Sequence, residues 1–156
     1  FRYAIEPLDA TRGKLVGLDF SADMLVQAQR RVDRAGWRNV ELLQGDATTM
    51  NLGRTFDGIL FAYSLTMIPD WPAALRRAWE HLRPGGRMVV LDFCTFDSWG
   101  PLAPVMRGWL RANHVETRRP YIEKMREIFP DLNVTTWMGG YNFTAVGLRR
   151  AQHAGA

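Results

Sequence analysis

A chain of 156 residues with 47% apolar content has room for one globular core and not for two comfortable ones. Its longest apolar runs, such as Gly58 to Ala62 and Met88 to Leu91, fall well short of the roughly 20 residues a membrane-spanning helix requires, so a soluble or membrane-peripheral protein is expected. Twenty basic against 16 acidic side chains leave +4, a balance that favours anionic partners, although RRVDR and LRRAWEHLRPGGR read as ordinary solvated helix faces and only RANHVETRR, bracketed by aromatics, keeps the question open.

The opening FRYAIEPLDA has neither the apolar centre of a secretory signal nor the acid-free, arginine-rich character of a transit peptide, and reads as the cut end of something longer. Leu15 to Asp19 is a short, buried strand. Ser21 then caps a helix in which Met24, Leu25, Ala28 and Val32 recur at helical spacing until Ala35-Gly36 ends it. Val40 to Leu43 is a second strand, closed by Gly45-Asp46-Ala47. Phe56 to Ala62 is a third, apolar enough to suggest burial on both faces. Asp70-Trp71-Pro72 starts a helix, with Asp70 as cap and Pro72 in the first turn. It ends in the turn Arg83-Pro84-Gly85-Gly86, which releases the strand Arg87 to Asp92. The lone Cys94 sits in this strand-like run, so a buried thiol in a reducing, cytoplasmic setting is expected. Leu132 to Met138 and Tyr141 to Leu148 flank Gly139-Gly140 as an antiparallel hairpin.

Alternating strand and helix imply an α/β domain, a mostly parallel sheet with helices on both faces, finished by the antiparallel hairpin. Ligands of such sheets bind outside the carboxyl ends of the strands. The residues there are Asp19-Phe20-Ser21, Gly45-Asp46-Ala47, Tyr63-Ser64-Leu65 and Asp92-Phe93. Two carboxylates at adjacent strand ends suit a nucleoside: Asp19 accepts from both ribose hydroxyls, Asp46 from an exocyclic adenine amine, and Phe20 and Met24 sandwich the purine. Each alone has a plainer role, Asp19 as a helix-dipole partner and Phe20 and Met24 as core. No metal site is expected.

In this order, VGLDFSADML, LLQGDATTM, FDGILFAYSLTMIPDWPAALRRAWEHLRPGG and RMVVLDF resemble the class I S-adenosylmethionine-dependent methyltransferases, whose fold is Rossmann-like, over nearly the whole chain. The resemblance implies S-adenosylmethionine as cofactor. It places Asp19 on the ribose, Phe20 and Met24 beside the adenine, with Ser21 and Gly45 in the same turns. Asp46 falls on the adenine amine, Ala47 on a neighbouring backbone contact, and Phe61, Ala62 and Tyr63 on the wall under the methionine part. The family's first strand and its glycine-rich loop have no counterpart here. Phe1 to Leu8 resembles the tail of the helix that follows that loop. A single, truncated domain spanning residues 1–156 is therefore expected, with the first strand absent. Losing that strand leaves two strand edges unpartnered, at about 1 to 3 kcal/mol for each unsatisfied buried group. The chain is then a fragment of a longer protein, the favoured reading, or the flanking strands meet directly, or another chain fills the gap. On any of these it is not expected to be a competent enzyme by itself.

Residues 97–121 are inserted between the last parallel strand and the last helix, as a lid or acceptor-binding segment. Trp99, Leu102, Val105, Met106, Trp109 and Leu110 recur at roughly helical spacing, followed by Arg111, His114, Arg118 and Arg119. Such a helix either packs on the body as a lid or lies on an anionic membrane surface. YSLTMIPDWPAALRRAWEHLRPGGRMVVLDF followed by this insert is similar to bacterial phosphatidylethanolamine and betaine-lipid N-methyltransferases, with ubiquinone and menaquinone C-methyltransferases next nearest. The implied acceptor is the amine of a polar lipid headgroup, the alternatives being a quinone precursor or other small molecule, or no catalysis and a partner-binding module. On the lipid reading Tyr63 meets the methylated ammonium by cation–π attraction. Ser64, His114, Arg118, Tyr121 and Tyr141 are the further acceptor candidates. His81 is expected as a cation at a helix C-terminus. Nucleic acid is not an expected partner, since no reading motif is present.

Overall fold

The computed structural model describes Ile5, Leu8 and residues 13–150, and the chain divides into two compact units, Phe1–Met50 and Asn51–Ala156. The expected helix tail over residues 1–8 thus lies outside the described residues apart from Ile5 and Leu8. The fold is α/β and Rossmann-like, with parallel pairing early in the chain and antiparallel pairing in its C-terminal part.

The first unit holds β1 (Leu15–Asp19), α1 (Ala22–Ala35) and β2 (Val40–Gln44). The strands run parallel, Leu15 opposite Val40 and Asp19 opposite Gln44, so both end at the same level. Ser21 starts α1 by accepting from the Met24 N–H, and Gly36 ends it at φ 68°, a left-handed conformation that costs glycine nothing. Two strands and one helix have little to bury themselves in. Every residue of β1 is only half-buried, against the burial expected for it, and Val32 is the buried residue of α1.

The second unit holds β3 (Phe56–Ala62), α2 (Trp71–His81), β4 (Leu82–Phe93), α3 (Ala103–Ala112), α4 (Tyr121–Ile128), β5 (Asn133–Trp137) and β6 (Asn142–Leu148), with a 3₁₀ turn at Leu65–Met67 and a 3₁₀ segment at Asp97–Leu102 that is kinked at Gly100. Its sheet has the order β3-β4-β6-β5, with β3 parallel to β4 and the other pairings antiparallel. Asp70 caps α2 through the Ala73 N–H, with Pro72 in the first turn. The helix buries Ala74, Leu75 and Ala78 completely. From β4, Met88, Val90 and Asp92 alternate into the core, beside Phe143 and Ala145 of β6. A Cβ on Gly147 would sit 2.4 Å from the Phe129 ring, so the close approach of that ring to β6 requires glycine.

Several expectations are corrected. β3 is not buried on both faces: Phe61 is its buried residue and Leu60 is 53% exposed, because β3 is an edge strand whose hydrogen-bonded neighbour among the described residues is β4 alone. β1 likewise pairs with β2 alone among them. Arg83 to Gly86 does not separate helix from strand but bulges within β4, with Phe56 opposite Leu82 and Gly58 opposite Arg87. The β5–β6 connection is also longer than two residues. Its ladder closes at Trp137 opposite Asn142, leaving Met138, Gly139 and Gly140 at φ 49°, 63° and 81°. Cys94 stands one residue beyond β4 and is half-buried rather than buried.

Candidate functional site

In the first unit the common ending of β1 and β2 brings Asp19 and Asp46 to one edge. The Gly45 N–H donates to the Asp19 carbonyl at 3.0 Å, and a Cβ on Gly45 would approach Leu18 Cδ1 to 3.0 Å. Asp19 Oδ1 accepts from the Ser21 N–H at 2.9 Å, which fixes the carboxylate at the strand end. Its other oxygen has no partner among the described residues. Asp46 accepts from both the N–H and the hydroxyl of Thr48, at 2.8 and 2.7 Å. The backbone donor first and the hydroxyl second hold its carboxyl below the usual carboxylate range, so it stays an ionised acceptor. Phe20 and Met24, beside Asp19, are 76% and 51% exposed. They are not core residues. Two large apolar side chains in solvent next to a fixed carboxylate form an uncovered surface of the kind a flat ring fills. Ser21 and Ala47 are half-buried in the two turns, and Ser21 spends its hydroxyl on capping α1.

In the second unit Phe61 is buried and Ala62 exposed at the end of β3. Tyr63 follows at φ 52°, a left-handed conformation uncommon for a bulky residue, with its N–H on the Leu91 carbonyl. Its ring stands 5.0 Å from that of Phe93, which in turn meets Tyr141 at 5.6 Å. The Asn142 side-chain N–H donates to the Tyr63 hydroxyl at 3.0 Å. Having accepted there, the phenol keeps its own hydrogen for another oxygen. Asn142 Oδ1 is buried without a partner, a cost of the kind that clusters at functional sites. Tyr63 and Tyr141 are thus brought together. Ser64 is half-buried and makes no side-chain capping bond.

Among the described residues no hydrogen bond or ring contact joins Tyr121, His114 or Arg118 to Tyr63, Phe93 or Tyr141. Tyr121 is 3% exposed, its hydroxyl donates to the Glu116 carbonyl at 2.6 Å and its ring packs on Trp71 at 4.8 Å. Burial above all pushes its phenol up to about 12, so it is a neutral framework residue. His114 and Arg118 lie exposed on the connection after α3. His81 is also corrected. Its Nε2 accepts from the Leu52 N–H and its Nδ1 bonds the Arg77 carbonyl, so the ring bridges a loop to α2 instead of acting as a cation. The cation at that helix end is Arg149, which donates to the Trp79 carbonyl at 2.9 Å and stacks on the Trp79 ring at 3.9 Å.

The sequence reading missed the roles of Asp92 and Asn142. Asp92 is fully buried and accepts from the Thr66 hydroxyl at 2.6 Å, the Thr66 N–H at 3.1 Å and the Phe93 N–H at 2.8 Å. It ties the turn after Tyr63 to the end of β4. An Asp closing an apolar strand was the available signal for it. Nothing in the pattern of β6 singles out Asn142, because its partner Tyr63 lies 79 residues away.

The chain is 43% identical over 111 residues to a 2-phytyl-1,4-naphtoquinone methyltransferase of Thermosynechococcus vestitus, covering 70% of this chain and 48% of that protein. It is 36% identical over 81 residues to a demethylmenaquinone methyltransferase of Lactococcus lactis, covering 51% of this chain and 32% of that protein. It therefore spans less than half the length of these relatives. Among solved structures, the apo form of the S-adenosylmethionine-dependent methyltransferase SibL superposes with a TM-score of 0.69 at 25% identity, over 88% of this chain and 44% of that one. The family model described as a methyltransferase domain matches residues 2–86, and since that match runs through more than half of the chain and takes in both acids, the chain belongs to the methyltransferase domain family.

Proposed function

We propose that the protein transfers a methyl group from S-adenosylmethionine to a ring of a quinone-type small molecule. The observation that carries the cofactor half is the edge of the first unit: two fixed carboxylates on neighbouring parallel strands, flanked by the exposed Phe20 and Met24. These residues fit an adenosyl group. Asp19 offers its free oxygen to the ribose hydroxyls, Asp46 accepts from the adenine amine, and Phe20 and Met24 take the faces of the base. The bound cofactor supplies an electrophilic methyl group on a sulfonium, and the protein's contribution is alignment and exclusion of water.

The acceptor half rests on the relatives, a 2-phytyl-1,4-naphtoquinone methyltransferase and a demethylmenaquinone methyltransferase, and on Tyr63 with Phe93 and Tyr141. This aromatic wall suits a flat ring, and the Tyr63 hydroxyl, oriented by Asn142, donates to an oxygen on it. The lipid-headgroup reading shares the cofactor half and asks Tyr63 for a cation–π contact instead. The relatives favour the ring. The test is methyl incorporation from labelled S-adenosylmethionine by the whole protein, offered a reduced naphthoquinone and, separately, a phosphatidylethanolamine extract. Label in the quinone fraction is expected; label confined to the phospholipid overturns the ring acceptor, and none in either overturns methyl transfer to both.

A further inference from the structure

Five large apolar side chains of the second unit stand in solvent on two elements that are bonded together. On α3 and the turn leading into it, Leu102, Val105 and Trp109 are 63%, 70% and 63% exposed. Their spacing of three and four residues sets them along one stripe of the helix, while Leu110 faces inward with Phe96, Ala103 and Val115. At the tip of the β5–β6 hairpin, Trp137 and Met138 are 54% and 73% exposed. The Trp99 indole N–H donates to the Met138 carbonyl at 3.0 Å, so the hairpin tip is pinned to the turn that starts α3. Scattered single apolar residues on a surface need no explanation; a cluster with two exposed tryptophans does.

The charges of the same segment decide what covers it. Residues 97–121 carry four arginines, Arg107, Arg111, Arg118 and Arg119, against Asp97 and Glu116, a net of +2. Both acids are engaged, Asp97 with Thr95 and Arg107, and Glu116 with Arg111 and the Arg118 N–H. Arg111 keeps 82% of its side chain in solvent. An apolar stripe with tryptophans and a cationic margin matches the physical requirements of the boundary between acyl chains and anionic headgroups, where tryptophan presents an apolar body and a polar N–H. We propose that this face of α3 and the β5–β6 tip docks the protein on an anionic lipid bilayer. The proposal goes beyond the transfer reading and does not depend on it, although a membrane-dissolved acceptor would give the docking its use.

The test is flotation of the whole protein with vesicles of phosphatidylcholine alone and of phosphatidylcholine mixed with phosphatidylglycerol. The protein is expected to float with the mixed vesicles, more weakly with the neutral ones, and to be released by high salt. Trp109→Ser with Trp137→Ser should lower the bound fraction about tenfold. Val105→Gln with Met138→Gln, which spares both indoles, should act in the same direction. Failure to float with anionic vesicles, or wild-type binding by both double variants, overturns the proposal. So does a dimer in light scattering that both double variants dissolve, because the face then belongs to a second copy. Methyl transfer in detergent without vesicle binding overturns the docking face alone. Vesicle binding without methyl transfer overturns the transfer reading alone.

Discussion

Asp19 and Asp46, proposed to share one adenosyl group, are held by different means. Asp19 is fixed by the N–H of Ser21, the residue that also caps α1, so strand end, acid and helix start are one local device that the DFS tripeptide specifies. Asp46 is fixed by Thr48, two positions on. Among the described residues neither carboxylate pairs with an arginine or lysine, which suits the neutral, hydroxyl- and amine-bearing ligand proposed for them. Replacing either by Asn keeps the shape and removes the charge. Each of Asp19→Asn and Asp46→Asn should weaken S-adenosylmethionine binding to the whole protein about tenfold or more, since a hydrogen bond to a charged group is worth about 1.5–3 kcal/mol. Calorimetric titration measures this, and unchanged affinity in both would remove their assigned roles. At this scale the sequence was readable where partners are close in the chain. Ser21 on Met24 and Asp70 on Ala73 lie three residues apart and are capping signals. His81 and Arg149 were not readable. The bond that makes His81 a bridge comes from Leu52, and the cation that caps α2 arrives from 70 residues downstream, and no local pattern carries either.

Elements were legible as far as their hydrophobic periods and punctuation go. β1, α1 and β3 begin and end where Asp19, Ser21, Gly36 and Ala62 indicate, because caps and strand-ending acids act locally. Burial was less legible. The apolar run of β3 suggested two covered faces, yet its position at a sheet edge leaves Leu60 in solvent, and position in a sheet is a property of other strands. Asp92 holds two elements together, its three bonds fastening the Leu65–Met67 turn to β4. Asp92→Ala leaves the Thr66 and Phe93 donors unpaired in a buried place and should lower stability by about 3 kcal/mol, measured by urea unfolding. The pH dependence has a definite sign. Burial raises the Asp92 carboxyl from its usual 3.8 despite the bonds that lower it, so the folded state binds its proton more tightly than the unfolded chain does. Its contribution is full below 3.8 and is lost as pH rises through the raised value. Asp92→Asn, which does not titrate, should remove that decline from the stability profile. An undiminished decline would place its source elsewhere.

Over the whole molecule, strand order explains why the two units differ in solidity. In the second, β4 is paired on both sides and its inward residues are almost completely buried. In the first, β1 is paired on one side among the described residues and stays half-buried throughout. The residues that carry the proposed cofactor chemistry sit in the less buried unit, at the ends of strands whose register alone brings Asp19 and Asp46 together. The alternation of strand and helix revealed the α/β class, but not which strands share a sheet, because pairing is settled by contacts distant in the chain. The central claim is that those two acids hold one adenosyl group. A crystal structure of the whole protein with S-adenosylhomocysteine tests it most directly. Ribose hydroxyls on the Asp19 carboxylate, the adenine amine at Asp46 and the base between Phe20 and Met24 are expected; a nucleoside lodged elsewhere, or touching one acid without the other, overturns the assignment.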